Sequence, residues 1–363
     1  MIDGFTARFL AAGKGDYDLI QITERADSAL PPAEVPPEVP AAEPVALTSA
    51  SSAPSAPGAR SSKTSAADSA ASKSTAAGSA PPVTTAPEPV APPPAGKLGI
   101  TFKIKNSLTG AVVEGDAASL VAMAVEAEVG NRFQPESMKA QAVAAYTLFL
   151  YYNAHNGAVP SAPMIAASSK AIAATEAVLG QTITQNGKLI NANYCDMSAG
   201  KTADGGEVWE GGGYYPYLKS VDDPVQSVPG FASEQTFSAA DTANWVRETY
   251  QVELSGLDRT LWFRPQYDAN NLYAKNVVIG GAKEVLGLRI RDTLFSSARV
   301  GSNTLRSHAF TIAYSPARDA FVFSCKGYGH GVGLSQQGAD VYARQGYDYR
   351  WILRHYYTNV NVG

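Results

Sequence analysis

AASLVAMAVEAEVGNRFQPESMKAQAVAAYT, residues 117–147, decides the fold class. Asp116 stands just before it, and a short carboxylate there can accept from the free N–H groups of a first helical turn. Val121, Ala124 and Val125 recur at the spacing of one helix face. The next position on that face is not apolar but Glu128. Glu126 falls roughly 100° or more around the helical wheel and is expected to reach solvent. The helix should stop near Gly130. Pro135 opens a second helix, because its fixed φ suits the first helical position, and Glu136 suits the dipole there. Met138, Ala142, Val143, Ala145, Leu148, Phe149, Leu150 and Tyr152 make this helix apolar on most sides. It reads as central and buried, with a stop at Asn156-Gly157. Lys139 and Gln141 are polar exceptions near its start.

Residues 170–179 predict a third helix closed by Gly180. The period then changes from helix to strand. Asn186-Gly187, between residues 181–185 and 188–194, is a two-residue hairpin signal. Residues 239–250 read as helix, and 276–279, 288–291, 309–314 and 320–325 as strands. Two short helices are expected at 335–344 and 350–357. Before the helix pair, Leu98, Ile100, Phe102 and Ile104 alternate as one face of a strand over 98–105. Helices first and strands later make the chain α+β rather than doubly wound.

The chain has 363 residues with 17% charged and a formal net charge of -4, which argues against a nucleic-acid binder. Residues 31–95 hold 15 Pro, 18 Ala and 11 Ser, no aromatic residue, and Leu47 as their single leucine. Such a stretch cannot bury enough apolar surface to offset its ordering entropy, so residues 31–96 are expected to be a disordered linker. Residues 1–30 carry too few apolar side chains for a stable domain and are expected to be poorly ordered. The foldable part is 97–363. Apolar runs fall well short of the ~20 residues a spanning helix needs. Arg8, Lys14, Asp16 and Asp18 interrupt any signal-peptide pattern.

A carboxyl on an otherwise apolar helix face, beside a buried helix, is desolvated and held protonated, as a general acid requires. That makes Glu128 a candidate acid; a helix-end Glu paired with Lys139 or an arginine is the plainer alternative. The run Gly327-Tyr328-Gly329-His330-Gly331-Val332-Gly333 has more glycines than a turn needs and is expected to face a ligand. Trp209, Tyr214, Tyr215, Tyr217 and Tyr328 lie among glycines and would suit sugar rings or ordinary packing. Cys195 and Cys325 are too few for a zinc site alone. Ser198 and Ser335 lack a nucleophile-elbow motif.

Three groups of motifs read together. Residues 124–147 (AVEAEVGNRFQPESMKAQAVAAYT) resemble the signature helix pair of the stage II sporulation protein D family. NANYCDMSAGKT (191–202) and PYLKSVDDP (216–224) resemble its next two segments. CKGYGHGVGLSQQGADVYARQGYDYRWILRHYY (325–357) resembles its C-terminal signature. The related amidase-enhancer proteins share that last signature.

The resemblance implies a helix pair packed on antiparallel strands to form a substrate groove. It implies a lytic transglycosylase acting outside the membrane on peptidoglycan glycan strands; no cofactor is expected, and no metal, because some relatives bind zinc near this region but the Cys/His set here is incomplete. Glu128 matches the family's catalytic glutamate. Lys139, Gln141, Tyr146, Tyr194, Ser198, Tyr328, His330 and Gln336 match positions expected to bind substrate. A cell-wall amidase and membrane sporulation proteins are the implied partners. The chain departs from the pattern in three places: Tyr146 stands where the family has Arg, Val129-Gly130 where it often has Met-Pro, and Cys195 where Ser, His or Thr is commoner. The family's N-terminal membrane anchor is not visible in these residues. A non-catalytic wall-binding module is one alternative. A hydrolase using Asp196 or Glu207 as a second carboxylate is another.

Overall fold

A computed structural model describes residues 99–154, 159–209 and 215–363, and the backbone of two short strands, Phe5–Arg8 and Gln21–Glu24, that pair antiparallel. The expected linker, the Asn156-Gly157 stop and Tyr214 lie outside the described residues.

The fold is α+β. Helix α1, Ala117–Glu128, starts where expected, with Asp116 accepting from the Ser119 N–H at 3.0 Å. It ends when Gly130 takes a left-handed φ of +64° that a side chain would resist. Helix α2, Pro135–Ala154, is the buried centre, with Met138, Val143, Ala144, Ala145 and Phe149 all out of solvent. Its run of alanines lets neighbours approach closely. Helix α3, Ser169–Glu176, packs on both.

Strand Thr101–Asn106 lies across α2 and alternates as the sequence predicts. Phe102 and Ile104 point inward, and the Phe102 ring meets Tyr146 at 5.6 Å and Phe149 at 6.0 Å. It pairs antiparallel with Val112–Asp116 and parallel with Ser161–Ala162. The predicted hairpin is present between Ile183–Gln185 and Lys188–Leu189, with Asn186 and Gly187 both at positive φ, as its two-residue turn demands. The C-terminal strand Asn361–Val362 adds to its other side.

A second core is built from aromatic rings. Strand Ala320–Lys326 runs between Phe310–Ser315 and Ala232–Ser238, antiparallel to both. Helix α4, Ala239–Tyr250, follows directly. Strands Phe263–Tyr267, Ala274–Ile279 and Lys283–Leu286 form a further antiparallel sheet. Phe237 stacks on Phe295 at 4.2 Å, and Phe323 meets Phe237, Phe295 and Phe310.

The expected strand at 288–291 is instead a pair of helical turns, Gly287–Arg289 and Ile290–Leu294. Gly287 lies against the Ala274 carbonyl, where a Cβ would come within 1.7 Å of the oxygen. Arg291 is buried and pairs with adjacent Asp292 at 2.9 Å. These packing demands override the Leu-Arg-Ile-Arg alternation.

Helices α5, Gln336–Arg344, and α6, Tyr349–Tyr356, close the chain and pack on α2. In the glycine run before α5, expected to face a ligand, three of the four glycines abut the protein itself. A Cβ on Gly327 would meet the Ser198 carbonyl at 2.5 Å, one on Gly331 the Tyr273 hydroxyl at 2.4 Å, and one on Gly333 the Asn193 carbonyl at 2.0 Å. The run is woven in by bridges from Met197 to Tyr328, Ser307 to Gly329 and Ala203 to Val332. Gly331→Val is therefore expected to damage the fold before it affects any ligand. Positive φ costs a β-branched residue about 1–3 kcal/mol, and overpacking costs about as much again. Thermal melts should show Tm lower by roughly 10 °C. A variant that melts like the wild type would return the loop to the ligand-facing reading.

Candidate active site

Glu128 is the last residue of α1 and is half-buried. Its Oε2 accepts from Gln336 Nε2 at 3.0 Å. The same amide nitrogen lies 3.5 Å from Gln141 Oε1. Gln141 is 1% exposed and Gln336 4% exposed. Gln141 Nε2 is buried with no hydrogen-bond partner among the described residues. Three side chains, from the end of α1, the second turn of α2 and the start of α5, thus converge, although they are up to 208 positions apart. Lys139, the plainer partner for Glu128, is held by Glu136 at 2.6 Å and lies over the Tyr349 ring.

Buried polar groups bring these helix ends together. Asp340, one turn beyond Gln336 on α5, accepts from the Gln134 N–H at 2.6 Å and the Ser137 hydroxyl at 3.1 Å. That fastens α5 to the start of α2. Ser335 caps α5 by accepting from the Gly338 N–H. Strand Leu334–Ser335 pairs parallel with Tyr194–Cys195, and Gln337 donates to the Asp196 carboxylate at 3.0 Å. Asp223 is buried against Tyr356, whose hydroxyl donates to it at 2.7 Å. Burial pushes the Asp223 carboxyl above its ordinary value, while hydroxyls of Ser198, Ser335 and Tyr356 pull it back.

The remaining expected site residues spread along this framework. Tyr194 is half-buried, in the strand beside Leu334. Ser198 is fully buried, and its hydroxyl accepts from the Gly200 N–H at 3.1 Å. Tyr328 is half-buried, with the Arg306 guanidinium over its ring at 5.9 Å. His330 is buried, its Nδ1 accepting from the Val332 N–H at 3.1 Å and its ring beside Trp209 at 5.7 Å. Tyr146 lies in the core against Phe102, and burial raises its phenol above the usual value. Trp209, Tyr215 and Tyr217 form a chain of edge contacts at 5.8 and 6.2 Å.

Sequence reasoning missed Asp223, Asp340 and Tyr273. Asp340 carried a signal, since it stands four residues after Gln336 on one helix face. Tyr273 carried none: buried behind the glycine run, it accepts from the Ala199 N–H and donates to the Lys201 carbonyl. Both cysteines are buried and neither is in a disulfide, and burial pushes Cys325 up to about 11. Burial, with the nearby Arg291 charge, pushes His308 down to about 3. Among the described residues no helix is long and apolar enough to cross a membrane.

No family model matches the chain. Stage II sporulation protein D of Bacillus amyloliquefaciens is 28% identical over 268 residues, covering 66% of this chain and 71% of that protein. The Bacillus subtilis (strain 168) protein of the same name is 26% identical over 265 residues, with the same coverage. The amidase enhancer of Bacillus subtilis (strain 168) is 24% identical over 228 residues, covering 52% of this chain and 32% of that protein. The motifs and the comparisons thus agree: this chain is similar, over about two thirds of its length, to stage II sporulation protein D.

Proposed function

We propose that residues 97–363 form a lytic transglycosylase domain that cleaves peptidoglycan glycan strands, on the cell-wall side of the membrane, in the wall remodelling of sporulation. The observation that carries this reading is the meeting of Glu128 with Gln336 and Gln141. Glu128 gives its proton to the glycosidic oxygen as the C1–O bond breaks. The substrate's own N-acetyl group supports the positive charge at C1. The Glu128 carboxylate then takes the proton of the sugar's 6-hydroxyl as that oxygen bonds to C1, leaving a 1,6-anhydro end. An amide suits both halves of this cycle, since it donates to a carboxylate and, turned over, accepts from a carboxylic acid.

No water enters, so one carboxyl suffices where hydrolases generally use two. The carboxylates a hydrolase might recruit are engaged elsewhere: Asp196 with Gln337, and Glu207 with Lys275 at 2.9 Å. Tyr194, Ser198, Tyr328 and His330 would line or support the substrate's path, with Lys139 and Tyr146 set back in their own contacts. Residues 31–96 would serve as a tether. A cell-wall amidase and membrane sporulation proteins are the partners this reading implies.

Similarity to the amidase enhancer favours a second reading, a wall-binding module without catalysis. One paired assay separates the two. General acid–base catalysis contributes ~10²–10⁴-fold, so Glu128→Gln should lose at least ~100-fold in anhydro-end formation, measured by mass spectrometry of digested strands. Strand binding should survive, because the amide resembles the protonated acid. Anhydro ends formed by Glu128→Gln at the wild-type rate would remove Glu128 from the chemistry. A wild type that binds strands yet forms no anhydro ends would make the second reading the better one. A chain beginning at Lys97 should match the full chain in rate and melt within a few degrees of it. A larger drop would mean that earlier residues dock on the domain.

A further inference from the structure

Glu128 occupies the last position of α1, where helix carbonyls lose their partners and the backbone is least constrained. A group that must deliver and recover a proton at one place needs a firmer seat. Gln336 steadies its side chain. The backbone on either side is gripped by one short stretch, Ser168 to Lys170, at the start of α3.

Before Glu128, the Glu126 carboxylate accepts twice from Ser168: from the hydroxyl at 2.5 Å and from the N–H at 3.2 Å. Glu126 is therefore half-buried and bonded, which corrects the expectation that it reaches solvent. The Ser168 hydroxyl also accepts from the Ala171 N–H and so caps α3. After Glu128, the Lys170 ammonium donates to the carbonyls of Asn131 at 2.8 Å and Phe133 at 2.5 Å. These are the loop residues between α1 and α2, so the two grips lie two residues before Glu128 and three to five after it. A further contact, from the Ile165 N–H to the Met123 carbonyl, lays the same segment along α1. An ammonium spent on two backbone carbonyls adds nothing that burial of α3 requires. It fixes the course of a loop.

We infer that Ser168 and Lys170 are positioning residues for Glu128, acting through the Glu126 carboxylate and the 131–133 backbone. The inference rests on the reading of Glu128 as the proton-transferring group. Misplacing a reacting group by about 1 Å can cost ~10²-fold in rate, so loss of either grip should act on turnover rather than on substrate affinity.

The test uses the full chain and purified glycan strands, with kcat, KM and Tm measured for wild type, Ser168→Ala, Ser168→Thr and Lys170→Met. Ser168→Ala and Lys170→Met are expected to lower kcat about tenfold or more while KM stays within about twofold. Ser168→Thr keeps the hydroxyl and should recover most of the lost turnover. Strand binding by Glu128→Gln should be unaltered when Ser168→Ala is added. Turnover within twofold of an active wild type for both truncations overturns the inference and leaves the proposed function standing. A loss of kcat that Ser168→Thr does not repair, or that follows the fall in Tm and returns on cooling, assigns the stretch to general fold support and also overturns it. A wild type without anhydro ends removes the functional reading itself, and this inference with it.

Discussion

Asp223 is a carboxylate taken out of water, and the arrangement of the site depends on how that burial is compensated. Left bare, such a group would cost several kcal/mol or stay protonated. Here the Tyr356 hydroxyl donates to one of its oxygens at 2.7 Å, the other oxygen has no hydrogen-bond partner among the described residues, and the nearby Ser198 and Ser335 hydroxyls favour its charged form. Gly338 completes the seat, because a Cβ there would fall 1.7 Å from the Asp223 oxygen. One buried carboxyl group thus ties the 191–202 stretch, the 216–224 stretch and the C-terminal helices together. Ser335 is both part of this seat and the cap of α5, so the position of Gln336, the next residue, follows from it. Gln336 in turn meets Glu128. The path from a desolvated carboxyl to Glu128 runs through two adjacent residues of one chain turn.

A second constraint acts from α2. Its alanine-rich surface brings α1, α3, α5 and α6 close to one apolar helix, and its first turn is where the polar ties gather. Asp340 binds the Gln134 N–H and the Ser137 hydroxyl, Glu136 accepts from the Tyr349 N–H, and Lys139 is held by Glu136. Apolar packing sets the distances between helices, and these bonds set their rotation and register. Gln141, one turn further along α2, is buried and within reach of the Gln336 amide.

How much of this could be read beforehand follows from what each signal encodes. Helices α1 and α2 were legible because periodicity and caps are local, and Glu128 stood out because it interrupts an apolar face. The strand Ala232–Ser238 was not legible: only Gln235 and Phe237 of it are fully buried, so its alternation is weak. Residues 288–291 alternate well and are nonetheless helical, because Gly287 must clear the Ala274 carbonyl, a contact no window of sequence contains. The glycine run carried a true signal, close approach of backbone to something. The something is the protein's own Ser198, Asn193 and Tyr273. The helical wheel turned Glu126 away from Glu128 correctly, but it could not show Ser168, 42 residues further on, waiting for that carboxylate.

The two sides of Glu128 differ in kind, and the difference bears on the chemistry. On the α5 side it meets a neutral amide, which can follow the carboxyl through loss and gain of a proton without a charge of its own. On the α3 side Lys170 is committed to carbonyl oxygens, on α2 Lys139 is committed to Glu136, and Arg132, four residues after Glu128, lies over the Phe133 ring. A lysine brought against Glu128 would favour the carboxylate and work against a general acid. These two lysines therefore hold loop backbone and a neighbouring carboxylate, while α5 brings a neutral amide, Gln336, to Glu128.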